Sequence, residues 1–144
     1  MDMTYNLSGE HVTQAFESCR LVAYQDVKGI WTIGWGHTGP EVVEGLVWTQ
    51  EQADAQLVQD MAVAVRDVNR LVTVPVTQNE FDALVDFTFN AGGGAFAGST
   101  LLKLLNTGDY QGAAAQFDLW DHSSGQVVAG LLRRRLAEKQ EFQS

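Results

Sequence analysis

Residues 16–38 read FESCRLVAYQDVKGIWTIGWGHT, a glutamate, an aspartate and a threonine set among glycines and tryptophans. VAY (22–24) is a short extended candidate, DVKG (26–29) reads as a turn, and IWTIGWG (30–36) reads as a strand. Alternate strand residues point to opposite faces, so Trp31, Ile33 and Trp35 make one bulky apolar face and Thr32, Gly34 and Gly36 the other. The second face carries one hydroxyl and is otherwise bare. A bare strand face admits a ligand, or else a packed neighbour or a tight bend, and the alternation leaves these readings open.

Working outward, the flanks read as helices. Ser8 is a candidate N-cap for a helix over about 9–20, with Val12, Phe16 and Cys19 recurring at helical spacing and facing inward. GPEVVEGLV (39–47) is a loop with turn signals at Gly39-Pro40 and Gly45. Thr49 and Gln52 form a capping box opening a helix to about Asn69, with Ala53, Leu57, Met61, Ala64 and Val68 as its inward stripe. Pro75 marks a break, and Thr77 with Glu80 makes a second capping box. Phe81, Leu84, Val85, Thr88 and Phe89 form the buried stripe of the helix that follows. Ser99 caps a short helix to Leu105, and Asp109 or its neighbours start another through Phe117 to Trp120. DHSSG (121–125) reads as a loop, and a last helix spans about 128–142 with Leu131, Leu132 and Leu136 on its apolar side. The outline is α+β and mostly α.

At 144 residues and 45% hydrophobic, the chain can bury one compact core. Cys19 is the only cysteine, which rules out an internal disulfide and a CxxC metal site. It reads as a small core residue. Eighteen acids face nine bases, a net charge of -9, which argues against a nucleic-acid partner. The one basic cluster, Arg133 to Arg135 with Lys139 following, reads as a solvated helix face or as a site for a phosphate or carboxylate. The glycine-rich NAGGGAFAGS (90–99) lacks the lysine and spacing of a phosphate loop. No apolar run reaches membrane-spanning length.

Glycosidic hydrolysis needs a carboxylic acid to protonate the leaving oxygen and a second group to direct the nucleophile. Glu17 falls in the last expected turn of the first helix, beside Phe16. Asp26 lies in the turn before the glycine-faced strand, and Thr32 on the bare face. All three can border one cleft. Their spacing equally fits a solvated helix end followed by a turn aspartate.

The whole pattern resembles the bacteriophage-type lysozymes. Glu17, Asp26 nine residues on, and Thr32 within GIWTIGWGHT (29–38) resemble that family's Glu–Asp–Thr motif. TQEQADAQLVQDMAVAVRDVN (49–69) is similar to its long helix, VPVTQNEFDALVDFTFNAGGGAFAGSTLLKLLNTGDY (74–110) to its core stretch, and GLLRRRLAEKQEF (130–142) to its closing helix. The likeness covers nearly the whole chain in order. It implies a two-lobed lysozyme fold as a single domain over 1–144, with a hairpin lobe at about 20–48, a connecting helix at about 50–69, and a helical body at about 77–144 joined by helix 9–20.

The activity it implies is an endolysin that cuts the β-1,4 bond between N-acetylmuramic acid and N-acetylglucosamine in peptidoglycan, for host cell lysis. Glu17 would be the general acid, Asp26 would stabilise positive charge and place the water, and Thr32 would hold that water. The family's inverting course implies carboxyls roughly 6.5–9.5 Å apart. No metal or cofactor is implied. His37 would pair structurally with Asp60. Gly34, Asn90, Phe96, Ser99, Trp120 and His122 would border the glycan, although Asn90 also fits a helix end, Ser99 a cap and Trp120 the core.

Two features depart from the family. Its members often carry net positive charge, and here the charge is -9. A basic residue commonly follows the glycine of the 120s loop, and here Gln126 stands there. Peptidoglycan strands are the expected partner, with no membrane anchor and no nucleic acid. The enzyme is expected as a monomer that collects in the host cytoplasm until a holin opens the way to the periplasm and cell wall. Three other readings stay open: a lysozyme-fold protein that binds peptidoglycan without cutting it, a lytic transglycosylase, and a chitosanase-like or chitinase-like enzyme.

Overall fold

The computed structural model describes residues 2–5, 13, 16–120, 122–123, 126–127 and 129–144. Ser8, Val12 and most of the expected first helix lie outside these. Thr13 and Phe16 are helical, Glu17 is a bend, and Arg20 already belongs to a strand. The helix therefore stops short of the expected Arg20. The aliphatic and aromatic run LVAY favours a pleated strand, and the Arg20 guanidinium stacks 4.4 Å above the Tyr24 ring. Cys19 falls beyond the helix and is half-buried.

The chain divides into two compact units, residues 14–62 and residues 1–13 with 63–144. The first holds an antiparallel sheet of β1 (Arg20–Gln25), β2 (Trp31–Gly34) and β3 (His37–Thr38), in that order. Tyr24 pairs with Thr32, and Thr32 with Thr38. The expected strand over 30–36 breaks after Gly34, because the chain reverses there to begin β3. Gly34 and Gly36 take φ of 65° and 86°, which a side chain would oppose. Residues 46–48 run along the outer edge of β1, where Ala23 N–H donates to Leu46 O (2.9 Å) and Trp48 N–H to Leu21 O (2.8 Å). That covers an edge otherwise open to pairing.

Helix α1 (Gln50–Leu71) starts at the expected capping box: Thr49 N–H donates to Gln52 Oε1 at 2.8 Å, and Gln52 N–H to Thr49 Oγ1 at 3.2 Å. All five residues of its expected stripe are buried.

The second unit is built from α2 (Gln78–Ala91), α3 (Gly93–Ala97), α4 (Thr100–Asn106), α5 (Tyr110–Gln116), a 3₁₀ turn (Phe117–Leu119) and α6 (Ala129–Phe142). Thr77, Ser99 and Asp109 cap α2, α4 and α5 through their side chains. Within the stretch expected as a loop, His122–Ser123 form β4, which pairs antiparallel with β5 (Gln126–Val127). From Phe81 to Asp82 and on to Thr88, α2 is buried on every side, and Phe89 is only half-buried. Phe87 takes edge-on contacts from Phe96, Phe117 and Trp120, with centroids 6.2, 5.7 and 5.3 Å away.

The inward face of α6 reverses the sequence expectation. Leu136 is 45% exposed, whereas Arg134 and Arg135 are 4% and 1% exposed. Burial of these guanidiniums follows from acids placed to meet them. Asp86 on α2 accepts from Arg134 Nε (3.0 Å) and Nη2 (2.7 Å), and Glu138 meets Arg135 at 2.7 and 2.9 Å. Only Arg133 of the triplet is exposed. The architecture is thus α+β and mostly helical, with a small hairpin sheet near the N-terminus and a helical body.

Candidate active site

In the hairpin unit, Asp26 and Thr32 are fastened to the same residue. Asp26 Oδ1 accepts from the N–H groups of Lys28 (2.8 Å) and Ile30 (2.9 Å), and Asp26 N–H donates to Ile30 O (2.9 Å). Thr32 Oγ1 donates to that same Ile30 oxygen at 2.9 Å. An aspartate at a turn commonly satisfies amides in this way. Here it also fixes the carboxylate plane and commits the threonine proton to main chain. Thr32 is 4% exposed, so the bare face seen in the sequence is largely enclosed.

Gly34 is filled in from outside. A β-carbon there would meet the Trp48 ring at 3.0 Å and Ala53 at 3.5 Å. It is a buried packing position, which corrects its expected place beside the glycan. Gly36 has another neighbour: a β-carbon there would lie 3.2 Å from Glu17 Oε2. The reversal between β2 and β3 thus passes close to the Glu17 carboxylate, which a β-carbon would crowd by a few tenths of an ångström, and the φ of 86° itself favours glycine there.

His37 Nδ1 lies 2.8 Å from Asp60 Oδ2, and Nε2 lies 2.6 Å from Glu41 Oε1. The second partner was missed in the sequence, although Glu41 stands at i+4 from His37. Trp48 stacks obliquely on the imidazole at 5.6 Å. Burial alone would lower the imidazole pKa, but the hydrogen bonds to Glu41 and Asp60 outweigh it, so the value is raised above 6.5. A raised folded-state value means the folded chain holds the proton more tightly. The stabilisation is fully present below about pH 6.5 and is lost as pH rises through the folded value. His37→Ala is expected to lower the thermal midpoint by about 5 °C at pH 5.5. The gap should narrow in alkaline buffer. Equal midpoints at pH 5.5 would rule out a stabilising role for the pair.

Trp35 Nε1–H donates to Asp54 Oδ1 at 2.8 Å, and Gln50 donates to the same oxygen at 2.9 Å.

The other expected glycan neighbours lie in the helical unit. Phe96 is fully buried against Phe87, so it is core, contrary to the expected role. Ser99 is buried too: its hydroxyl donates to Phe96 O (2.7 Å) and accepts from Leu102 N–H (3.1 Å), which makes it the α4 cap. Asn90 is exposed and accepts from Arg135 at 2.9 Å. Trp120 is half-buried with its ring against Phe87. The His122 and Gln126 side chains lie outside the described residues, and among the described residues no His, Cys, Asp and Glu cluster could hold a metal ion.

In sequence and in fold the chain is similar to phage endolysins and to a muramidase domain. The endolysin of Acyrthosiphon pisum secondary endosymbiont phage 1 is 46% identical over 133 residues, covering 90% of each chain. The endolysin of Bacillus phage PZA is 42% identical over 144 residues, 99% of this chain but 56% of that protein, so the chain spans about half of that relative's length. The solved muramidase domain of SpmX from Asticaccaulis excentricus superposes with a TM-score of 0.90 at 42% identity, covering 98% of both chains. The profile described as phage lysozyme matches residues 14–138, and with these likenesses in sequence and fold the chain belongs to the phage lysozyme family.

Proposed function

We propose that this protein is an endolysin hydrolysing the β-1,4 bond between N-acetylmuramic acid and N-acetylglucosamine in peptidoglycan, with Glu17 as general acid. The observation that carries the reading is the shared anchoring of Asp26 and Thr32 on Ile30, in a hairpin whose reversal at Gly36 backs onto Glu17. Glu17 gives its proton to the glycosidic oxygen as the C1–O bond breaks. Asp26 Oδ1 is occupied by two amides, which leaves Oδ2 to face the positive charge growing at C1 and to take a proton from water. The Thr32 hydroxyl directs its O–H at Ile30 O, so its oxygen lone pairs are open to accept from that water. A water held by both groups turns a lone pair towards C1. One displacement of this kind inverts the anomeric centre, and NMR of fresh product would read the anomer directly.

The test follows products released from purified peptidoglycan, with Glu17→Gln as control. New reducing N-acetylmuramic acid ends support the reading. Anhydro-sugar ends would replace it with transglycosylation, and wall binding without products would reduce it to a binding protein. The same reading has the protein act as a monomer, held in the host cytoplasm until a holin-type pore admits it to the periplasm and wall.

A net charge of -9 meeting an anionic wall sets a sign for salt. Raising ionic strength shortens the Debye length from about 30 Å at 0.01 M to about 10 Å at 0.1 M and screens the repulsion. Initial rates on peptidoglycan are expected to rise across that interval, and a steady fall would contradict the screening argument.

A further inference from the structure

The tip of the β1–β2 turn has features that neither the fold nor the proposed chemistry uses. Gly29 N–H donates to Asp26 O at 2.9 Å, which makes Val27 and Lys28 the two corner residues. Val27 is fully exposed and Ile30 is 47% exposed, so two β-branched side chains at this tip gain nothing from burial. Residues 14–62 carry seven acids and only two strong bases, Arg20 and Lys28. The Arg20 guanidinium is engaged over the Tyr24 ring. No ion pair among the described residues involves the Lys28 ammonium. The main chain that carries it is nonetheless held, because Lys28 N–H is bonded to the Asp26 carboxylate. Two residues of chain place its Cα at most about 7 Å from that of Asp26.

Resting on the muramidase reading, we propose that Lys28 is a specificity-determining residue that recognises the acidic peptide borne by peptidoglycan on its lactyl groups. That peptide combines carboxylates with small apolar side chains. The tip offers an ammonium flanked by Val27 and Ile30. In a lobe this acidic, a single cation beside Asp26 attracts an anionic substituent locally while the rest of the surface repels the wall. Glycan with its peptides attached is therefore cut in preference to glycan stripped of them.

The test measures kcat/KM at low salt on peptidoglycan strands with peptides intact and on the same strands stripped by an amidase. Wild-type protein is compared with Lys28→Gln, Lys28→Glu and Lys28→Arg. The intact-to-stripped ratio is expected to fall about fivefold in Lys28→Gln, further in Lys28→Glu, and to be kept in Lys28→Arg. In the wild type it should shrink towards the Lys28→Gln value at about 1 M salt, where the Debye length is about 3 Å. An unchanged ratio in Lys28→Gln and Lys28→Glu overturns the inference while leaving the muramidase reading intact. An equal loss on both substrates also overturns it, since Lys28 would then serve the turn and not the peptide. If the wild type cuts neither strand, the muramidase reading falls and this inference falls with it.

Discussion

Glu17→Gln is expected to reduce release of reducing ends from peptidoglycan by roughly a thousandfold or more while leaving the thermal midpoint near that of the wild type. Glutamine keeps the shape of the side chain, so the close approach of Gly36 to its Oε2 position is preserved. What it cannot do is surrender a proton to the glycosidic oxygen. Removing a group that acts only in the transition state lowers kcat and kcat/KM together and leaves substrate affinity in place. The variant should therefore still sediment with the wall. Asp26→Asn is a useful contrast. Its Oδ1 can go on accepting from Lys28 and Ile30, so the turn survives, while the negative charge that the proposed mechanism sets against C1 is lost. Retention of a tenth or more of wild-type turnover by Glu17→Gln would show that another group delivers the proton.

How much of this was legible in the sequence depended on whether the deciding interaction was local. Thr49 with Gln52, and Thr77 with Glu80, are complete within one helical turn, and both boxes form as read. The α1 stripe follows from helical period alone. The β2 boundary was missed because a run that alternates cleanly says nothing of where the chain must turn back. Positive φ at Gly34 and Gly36 supplies that, and the glycines served equally well as a bare strand face. At the candidate site, Asp26 and Thr32 were singled out from turn and strand position and again through the resemblance, and His37 with Asp60 through the resemblance alone. Their partner Ile30 was not, since a main-chain oxygen has no signature in sequence. Glu41 was passed over although its carboxylate stands four residues after His37. Phe96 and Ser99 show the opposite limit. Position in a family motif placed them near the glycan, whereas core packing and a cap occupy them fully. The largest departure is α6, where a helical pattern with leucines on one side hid the fact that its charges face inward. Burying a guanidinium requires a carboxylate from a distant segment, and Asp86 lies 48 residues away from Arg134.

That pairing sets the second large effect. Asp86→Ala is expected to destabilise the fold by about 3–5 kcal/mol, seen as a thermal midpoint roughly 10 °C lower. Asp86 is fully buried and accepts from Arg134 twice and from Thr13 Oγ1 at 2.5 Å, and that hydroxyl lies 2.6 Å from the Tyr5 hydroxyl. Burial alone would raise its pKa, but the hydrogen bonds from Glu138, Arg134 and Thr13 hold it below the ordinary 3.8. Burial and the adjacent Asp86 push Glu138 the other way, well above 4.5, against the pull of Arg135 and Arg134. Alanine removes the anion from this cluster and leaves two buried guanidiniums with one carboxylate fewer, a cost much larger than one surface ion pair. Asp86→Asn keeps an acceptor for Thr13 but not the charge, so it should fall between wild type and alanine. The pH dependence has a definite sign. Because the folded-state value of Asp86 is depressed, its contribution is present above about pH 3.8 and is lost as pH falls through the lower folded value. The deficit of Asp86→Ala relative to wild type should therefore shrink in acid. Glu138 has the reverse sign, favouring the folded state at low pH and losing that advantage as it ionises, which sharpens the contrast between the two carboxyls. A midpoint for Asp86→Ala within about 2 °C of the wild type at neutral pH would mean that water or a rearranged α6 takes over the role of the carboxylate, and that the buried pair contributes little to holding α2 and α6 together.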